Sequence, residues 1–389
     1  MRSLVRKDGE GKLRVLHAIG QLWAGGLERQ LCGLLEAWSA GRLESSVVTF
    51  AAGGRFFEPI AALGVPITVL PRRGPDRVFR LAAHLRRLRP HLVYAWGTAA
   101  MVYGRVAGAL ALVRVVTHDG STGGLPLPWR VRAANLALLP LTAAFVCNSQ
   151  RRGAELRRRL PVHASRIAVI ENGVSIPDLP ADSGSAARLR AELDLPEGPI
   201  VGCVGRLDRL KNQEAILEAA RLLADRGLLV SVVLVGEGPA RRALVERAAA
   251  LGIADRLRLV GEQRDVGAIL RGFAAFAFPT LLEGMPNAVQ EALACGVPVV
   301  ASDVGDVRLL LSDGACGVVI PPGDVAALAD GLVRVLREGD LATRLAAAGR
   351  RHMRERYSME SSARRTEELF DRVVASTPVP FLPLAKGGG

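Results

Sequence analysis

Two acids, two cations and a proline-started helix stand in this chain in a pattern suited to gripping a phosphate ester. The run Pro279-Thr280-Leu281-Leu282-Glu283-Gly284-Met285-Pro286-Asn287-Ala288-Val289-Gln290-Glu291 holds Glu283 and Glu291 on either side of a candidate helix start. Pro286, then Asn287 with Gln290 three residues on, reads as an N-cap and capping box, so a helix is predicted to begin at Ala288. Glu283 then lies in a strand-end loop and Glu291 one turn inside the helix. First-turn N–H groups between them favour phosphate. One carboxylate can face the sugar side of a ligand while the other reaches ribose hydroxyls. Earlier, Gly205-Arg206-Leu207-Asp208-Arg209-Leu210-Lys211-Asn212 follows an apolar run. A glycine at the strand end lets backbone approach a ligand. Arg206 can fork two pyrophosphate oxygens while Lys211 supplies a point charge. The GxxxxGK[ST] pattern of a Walker loop is absent, so by itself this loop reads equally well as a solvated basic surface.

These residues need strands to end beneath them, and the chain supplies the pattern. Apolar strand candidates recur at 13–19, 45–50, 66–71, 91–96, 112–118, 143–148 and 167–171, with Arg- and Ala-rich helices between several of them. In the helix predicted from about residue 27, Leu27, Leu31, Leu34, Leu35 and Trp38 share one face. A polar stretch at 175–198 carries a short helical piece. Strand candidates then resume at 200–205, 229–235, 257–260, 274–278, 297–302 and 317–320. Such alternation marks doubly wound α/β units. We expect an N-terminal Rossmann-like domain over 1–178 and a C-terminal one over 179–375, facing each other across a cleft. The last helix is a candidate to return to the first domain, and the Pro/Gly-rich tail 376–389 is expected to be disordered.

Composition narrows the class. With 389 residues and 49% hydrophobic side chains, but only 4% aromatics, the cores must be built mainly from Leu, Val and Ala, which suits parallel strands covered on both faces. Cys32, Cys147, Cys203, Cys295 and Cys316 show no metal or redox spacing and read as buried thiols in a reducing cytoplasm. No Asp-x-Asp pair is present, so no essential metal is expected. The opening MRSLVRKDGE is too polar for a signal peptide. The apolar stretch 133–146 is too short to span a bilayer and reads as a buried helix running into a strand. Charge is segregated: residues 1–180 carry 25 Lys+Arg against 11 Asp+Glu, the remainder 26 against 27. A basic first half suggests an anionic partner, such as a membrane surface or a phosphorylated acceptor. The Arg-rich stretches 77–89 and 150–159 are the candidate patches, and simple solvated helix faces explain them equally well.

The chain resembles the retaining, nucleotide-sugar-dependent glycosyltransferases of the group 1 or family 4 type. The resemblance lies in Glu283 and Glu291 within EGMPNAVQEALACGVPVVASDVG, Gly25-Gly26-Leu27-Glu28-Arg29, Glu171-Asn172-Gly173-Val174, Val204-Gly205-Arg206-Leu207 with Lys211, Val235-Gly236-Glu237-Gly238-Pro239, and Cys316-Gly317 to Pro322-Gly323-Asp324. It covers about residues 14 to 370 and is densest in the second half. It implies a GT-B fold and transfer of a sugar from a nucleoside diphosphate, a UDP-sugar favoured, to a saccharide or lipid-linked acceptor hydroxyl. Arg206 and Lys211 would bind the diphosphate, and Glu291 the ribose. Glu283 would stand beside the transferred sugar, with Gly284, Met285, Pro286, Asn287, Ala288 and Val289 lining the donor. The glycines Gly25 and Gly26 would approach the phosphates from the first domain. His118, in VVTHDG, would contact the donor sugar near the reaction centre. No further cofactor is implied, and a cytoplasmic enzyme, peripheral at the inner face of the membrane, is expected. Three departures stand out: Trp96 where the family often has His, Ser175 after the NGV turn, and Leu309 in place of an acid after Gly305-Asp306. Sugar-nucleotide 2-epimerases share this architecture and remain a rival reading. A donor hydrolase is conceivable. A nucleic-acid-binding protein is suggested by charge alone and is not expected, since aromatic interleaving is lacking.

Overall fold

The computed structural model describes residues 12–23, 25–39, 41–70, 76–120, 129–178, 184–263 and 265–376, the side chains of 130–132 excepted. The expected tail, apart from Ser376, lies outside these. The chain divides into two compact units, residues 1–173 with 359–389, and residues 174–358.

The described part of the first unit is built on a parallel sheet of β1 (Leu13–Ile19), β2 (Leu43–Thr49), β3 (Ile67–Val69), β4 (Leu92–Trp96), β5 (Arg114–Asp119), β6 (Ala144–Cys147) and β7 (Ile167–Val169). Its order is β3-β2-β1-β4-β5-β6-β7, so the winding reverses between β1 and β4. The pleat sorts side chains onto two cores: Val15, Ile19, Tyr94, Trp96 and Val116 enter one, Leu16, Ala18, Val93, Ala95 and Val115 the other. A sheet buried on both faces demands such unbroken apolar strands. The helix Gly26–Trp38 covers the first face with Leu31, Leu34, Leu35 and Trp38, and the final helix, Met359–Ala375, adds Met359, Ala363, Leu369, Phe370 and Val373. Glu171, buried, anchors that helix: it pairs with Arg365 and accepts from Gln150 Nε2 at 2.8 Å, while its carbonyl accepts from Ser362 Oγ at 3.1 Å. The Glu171-Asn172-Gly173 motif is therefore a clamp within this unit, closed by Gln30, whose amide exchanges two hydrogen bonds with the backbone of Gly173.

The second unit carries a six-stranded parallel sheet of β8 (Ile200–Val204), β9 (Ser231–Val235), β10 (Leu257–Leu259), β11 (Ala275–Phe278), β12 (Val299–Ser302) and β13 (Val318–Ile320). Its order, β10-β9-β8-β11-β12-β13, reverses between β8 and β11. Both units are thus Rossmann-like and doubly wound, with every strand within two residues of its expected edges. Two expectations need correction. The division falls at 173/174 and 358/359 rather than at 178/179, because Val174 is pinned to Tyr357 O (2.8 Å) and Ile176 packs into the second core. The stretch 175–198 is accordingly part of the second unit, where its helix Ser185–Glu192 contributes the buried Leu189. The stretch 133–146 is not a buried helix: the helix Trp129–Ala137 leaves Leu136 49% exposed, and a 3-10 turn, Leu139–Leu141, separates it from β6.

Candidate active site

In open α/β sheets the strand ends at a reversal of winding form a natural ligand crevice. In the second unit that point lies between β8 and β11. The loop after β8 is shaped by Asp208, whose Oδ1 accepts from the N–H groups of Leu210 (3.0 Å) and Lys211 (3.1 Å). The loop after β11 is stitched to it: Leu210 O accepts from Leu281 N (2.8 Å) and from Thr280 Oγ1 (3.0 Å), and Asn212 Nδ2 donates to Pro279 O at 3.3 Å. The stitching brings Lys211 Nζ onto Glu283 Oε2 as an ion pair, with 22% and 9% of the two side chains exposed. The ammonium also lies 5.4 Å from the centre of the Phe278 ring, whose face favours a cation. A cation is thereby held at the switch point in a partly desolvated setting, where its charge is felt more strongly than on an open surface.

The other expected residues are placed unevenly. Arg206 turns to Asp208, 3.0 Å away, and is 70% exposed, so it forms no pair with Glu283 in the described structure. The expected cap is wrong in detail. The helix spans Asn287–Ala294 with Pro286 in the cap position and no side-chain cap bond, so Asn287 is already its first residue. Proline's fixed φ and missing N–H make it acceptable just ahead of a first turn. Glu291 stays one turn in and half-buried. Gly284 to Val289 run from the loop into the helix as expected, with Met285, Pro286 and Val289 buried.

Two glycines that sequence reasoning did not single out as site residues shape this edge. Gly305, at φ +55°, lies so close to the 283–284 loop that a Cβ would overlap the carbonyl oxygens of Glu283 and Gly284. The adjoining Asp306 N donates to Gly284 O at 2.8 Å. Gly236, at φ +135°, presses on the carbonyl of Gly205 in the same way. Both lay inside quoted motifs, but a glycine's reason is a contact across strands, which spacing alone cannot reveal.

In the first unit the end of β4, at its reversal of winding, and that of the neighbouring β5 are aromatic. His118, the last but one residue of β5, is in register with Trp96 of β4, and the two rings stack at 4.4 Å with 19° between planes. Its Nδ1 meets Tyr94 OH at 2.7 Å. Burial pushes the imidazole down to about 4, against a minor opposing pull from Asp119, so it is neutral near pH 7. Burial likewise holds the Tyr94 phenol well above its usual range. Gly25 precedes the helix Gly26–Trp38 in extended backbone and packs on the Glu28 carboxylate, which a Cβ there would strike. Both glycines are exposed. The thiols of Cys147 and Cys203 are pushed up to about 12 and that of Cys295 to about 11, all by burial, which makes them inert packing groups.

Two family models match the chain: Glycosyl transferases group 1 over residues 186–352, and Glycosyltransferase Family 4 over residues 24–176. The chain belongs to the GT-B glycosyltransferases of the group 1/family 4 type. Within this superfamily it is similar to the D-inositol 3-phosphate glycosyltransferase of Salinispora tropica, 32% identical over 59% of this chain and 51% of that protein. It is 30% identical to the alpha-D-kanosaminyltransferase of Streptomyces kanamyceticus over 57% of this chain and 58% of the relative. The chain thus spans little more than half the length of these curated relatives. Among solved structures, that of Anabaena HepE in complex with UDP and glucose shares the fold with a TM-score of 0.81, covering 92% of this chain and 100% of that one at 20% identity. Among the described residues no group of three or more His, Cys, Asp or Glu is placed to hold a metal ion. No helix among them is long and apolar enough to cross a membrane.

Proposed function

We propose that the chain is a retaining glycosyltransferase that moves a sugar from a nucleoside diphosphate to an acceptor hydroxyl, in the synthesis of a cell-surface polysaccharide or glycolipid. The observation that carries this reading is the Lys211–Glu283 pair at the β8/β11 reversal of winding. The barrier to such a transfer lies in breaking a glycosyl–phosphate bond while negative charge grows on the leaving phosphate. Lys211, Arg206 and the first-turn N–H groups of the helix Asn287–Ala294 oppose that charge, and donors already in place can lower a barrier by several kcal/mol. Glu291 takes the ribose hydroxyls and Glu283 the transferred sugar, with Gly284, Met285, Pro286, Asn287, Ala288 and Val289 along the donor. Gly25 and Gly26 give the phosphates a close backbone approach, and His118 contacts the sugar. The leaving phosphate oxygen receives the acceptor's proton as the acceptor attacks from the same face.

Support for a UDP-sugar comes from the Anabaena HepE structures, whose ligands are UDP and UDP-glucose. The acceptor is a saccharide, phosphorylated or lipid-linked, met at an anionic membrane face by the basic first unit. The exposed Phe79, next in sequence to the exposed Arg80 on the helix Asp76–Leu88, supports this contact. The decisive experiment is calorimetric titration with a panel of UDP-, GDP- and ADP-sugars, followed by acceptor trials with the tightest donor. Selective binding of one nucleotide sugar, weakened at least tenfold by Glu291→Ala, is expected. A changed sugar with no acceptor present would establish the 2-epimerase instead, and binding of none of the panel would refute the donor site.

A further inference from the structure

We propose that Tyr94 is a positioning residue that holds His118 in its Nε2–H form, so that the imidazole meets a sugar oxygen as a hydrogen-bond donor and not as a base. The proposal rests on the reading of His118 as a sugar contact and adds where its proton sits and what puts it there.

A neutral imidazole has one N–H and one bare nitrogen, and the bond made by one nitrogen decides the role of the other. Tyr94 and Trp96 stand two residues apart on β4, hence on one face of the sheet, and Trp96 lies in register with His118. From that position the phenol reaches the imidazole, and Tyr94 OH and His118 Nδ1 are 2.7 Å apart with both residues buried. The phenol has a proton to donate, and Nδ1 is its hydrogen-bond partner among the described residues. Were Nδ1 itself protonated, it would donate to the phenol oxygen, and the phenol proton would be buried with no acceptor. A buried O–H left unspent is the costlier arrangement. Nδ1 therefore accepts, and the single ring proton goes to Nε2.

The surroundings of the ring leave that donor unspent. His118 Nε2 is buried and has no hydrogen-bond partner among the described residues, an uncommon state for a buried polar atom. The ring cannot turn away to find one. Trp96 stacks on one face at 4.4 Å, and the Tyr94 ring is wedged between Trp96 at 4.5 Å and Phe370 at 5.1 Å. With Nδ1 occupied and the ring hard to protonate, His118 is poorly suited to taking the acceptor's proton. That agrees with a mechanism in which the leaving phosphate takes it.

The test needs no substrate at first. In protein labelled with 15N-histidine, at pH 7.5, the His118 resonances are assigned by their loss in His118→Ala, and the two ring nitrogens report which one carries hydrogen. The wild type is expected to show Nε2–H with a bare, hydrogen-bonded Nδ1, and Tyr94→Phe to show a mixture of the two tautomers. Nδ1–H in the wild type overturns the proposal, whatever the folding of any variant. With the tightest donor from the UDP-, GDP- and ADP-glucose panel, Tyr94→Phe is expected to lower kcat about tenfold, the lower end of what losing a histidine's orienting partner costs in other sites, with KM nearly unchanged. Loss of transfer in His118→Ala with full kcat in Tyr94→Phe overturns the role of Tyr94 and leaves His118 as a sugar contact. Full transfer in His118→Ala overturns that contact and the proposal with it.

Discussion

The two sheets share one plan, yet their strand ends at and beside the reversal of winding are built from opposite materials. In the second unit the β8 and β11 ends carry an ion pair, Lys211–Glu283, on loops tied together by backbone and threonine bonds. In the first unit the β4 and β5 ends carry stacked rings, Trp96 on His118, with Tyr94 behind them. The ionic end can answer charge that develops on a phosphate. The aromatic end offers little charge but a rigid wall with N–H groups at fixed places, which suits the uncharged hydroxyls of a sugar. One topology can thus carry both kinds of strand end, and on the proposed reading the loop and strand-end residues decide which ligand part each recognises.

The comparison breaks most sharply at Lys211. Lys211→Ala removes the cation but leaves the loop ties of Asp208 and Thr280 intact, so turnover of the selected donor should fall at least a hundredfold, as loss of one charge-stabilising donor does elsewhere. His118→Ala in the first unit should cost less. Steady-state kinetics of the two variants side by side decide the matter, and a larger loss at His118 would invert the assignment of charge work to the second unit.

Next in size is a change that touches no charge. Gly305→Ala puts a methyl against two carbonyl oxygens and a residue into left-handed backbone at φ +55°, which by itself costs about 1 kcal/mol. The 283–284 loop must shift, and with it the start of the helix Asn287–Ala294 whose N–H groups are proposed to face the phosphates, so the affinity for UDP should drop about tenfold, a change that 1.4 kcal/mol produces. Unaltered UDP binding in a folded variant would mean that the buttress behind the loop is irrelevant to the site.

Acid should separate the two units by stability. His17 and His118 are both pushed down by burial, to about 3 and about 4, whereas in an unfolded chain histidine titrates near 6.5. Below that value the unfolded chain binds protons that the folded first unit refuses. The stability they contribute is therefore complete above pH 6.5 and drains as pH falls towards 4 and then 3, at about 1.4 kcal/mol per pH unit for each histidine. The second unit's histidine, His352, is partly exposed. Hydrogen exchange compared at pH 7.0 and 5.5 should show amides of β1, β4 and β5 losing more protection than those of β8, β11 and β12. Equal losses in both sheets would contradict it.

Much of the plan was readable from the chain because a buried parallel sheet leaves little freedom: apolar runs such as Ile200–Val204 and Ser231–Val235 have no other way to hide. Lys211 and Glu283 stood out because both follow apolar strand candidates, although the basic loop by itself read equally well as a solvated surface; that they meet as an ion pair is what the fold adds. What escaped depends on distance across the fold. Asn287 carries the chemistry of a cap, but the fixed φ of Pro286 lets the helix begin one residue sooner. Arg206 looked like a partner of Lys211, yet Asp208 two residues on offers it a nearer carboxylate. Gly305 and Tyr94 matter through residues on neighbouring strands, and no local pattern announces such a neighbour.

The smallest effect tests how the ionic end rests when empty. Glu283 and Lys211 now neutralise each other, so a diphosphate that takes the ammonium must first compete with the carboxylate. Glu283→Gln keeps the shape and removes the competing charge. UDP lacks the sugar that Glu283 is proposed to hold, so it should bind the variant about threefold to tenfold tighter, the range that a partly exposed pair of order 1 kcal/mol allows. Turnover of the full donor should fall in the same variant, because the sugar hydroxyls then meet a neutral amide, with one accepting oxygen, in place of a carboxylate. The two signs together are what matters. Titration of wild type and variant with UDP, at 0.05 and 0.3 M salt, reads the first, and the gain should shrink at the higher salt as the competing charge is screened. Weaker UDP binding by the variant would mean that Glu283 shapes the phosphate site instead of guarding it, and the contrast between an ionic end poised by internal neutralisation and an aromatic end poised by packing would have to be redrawn.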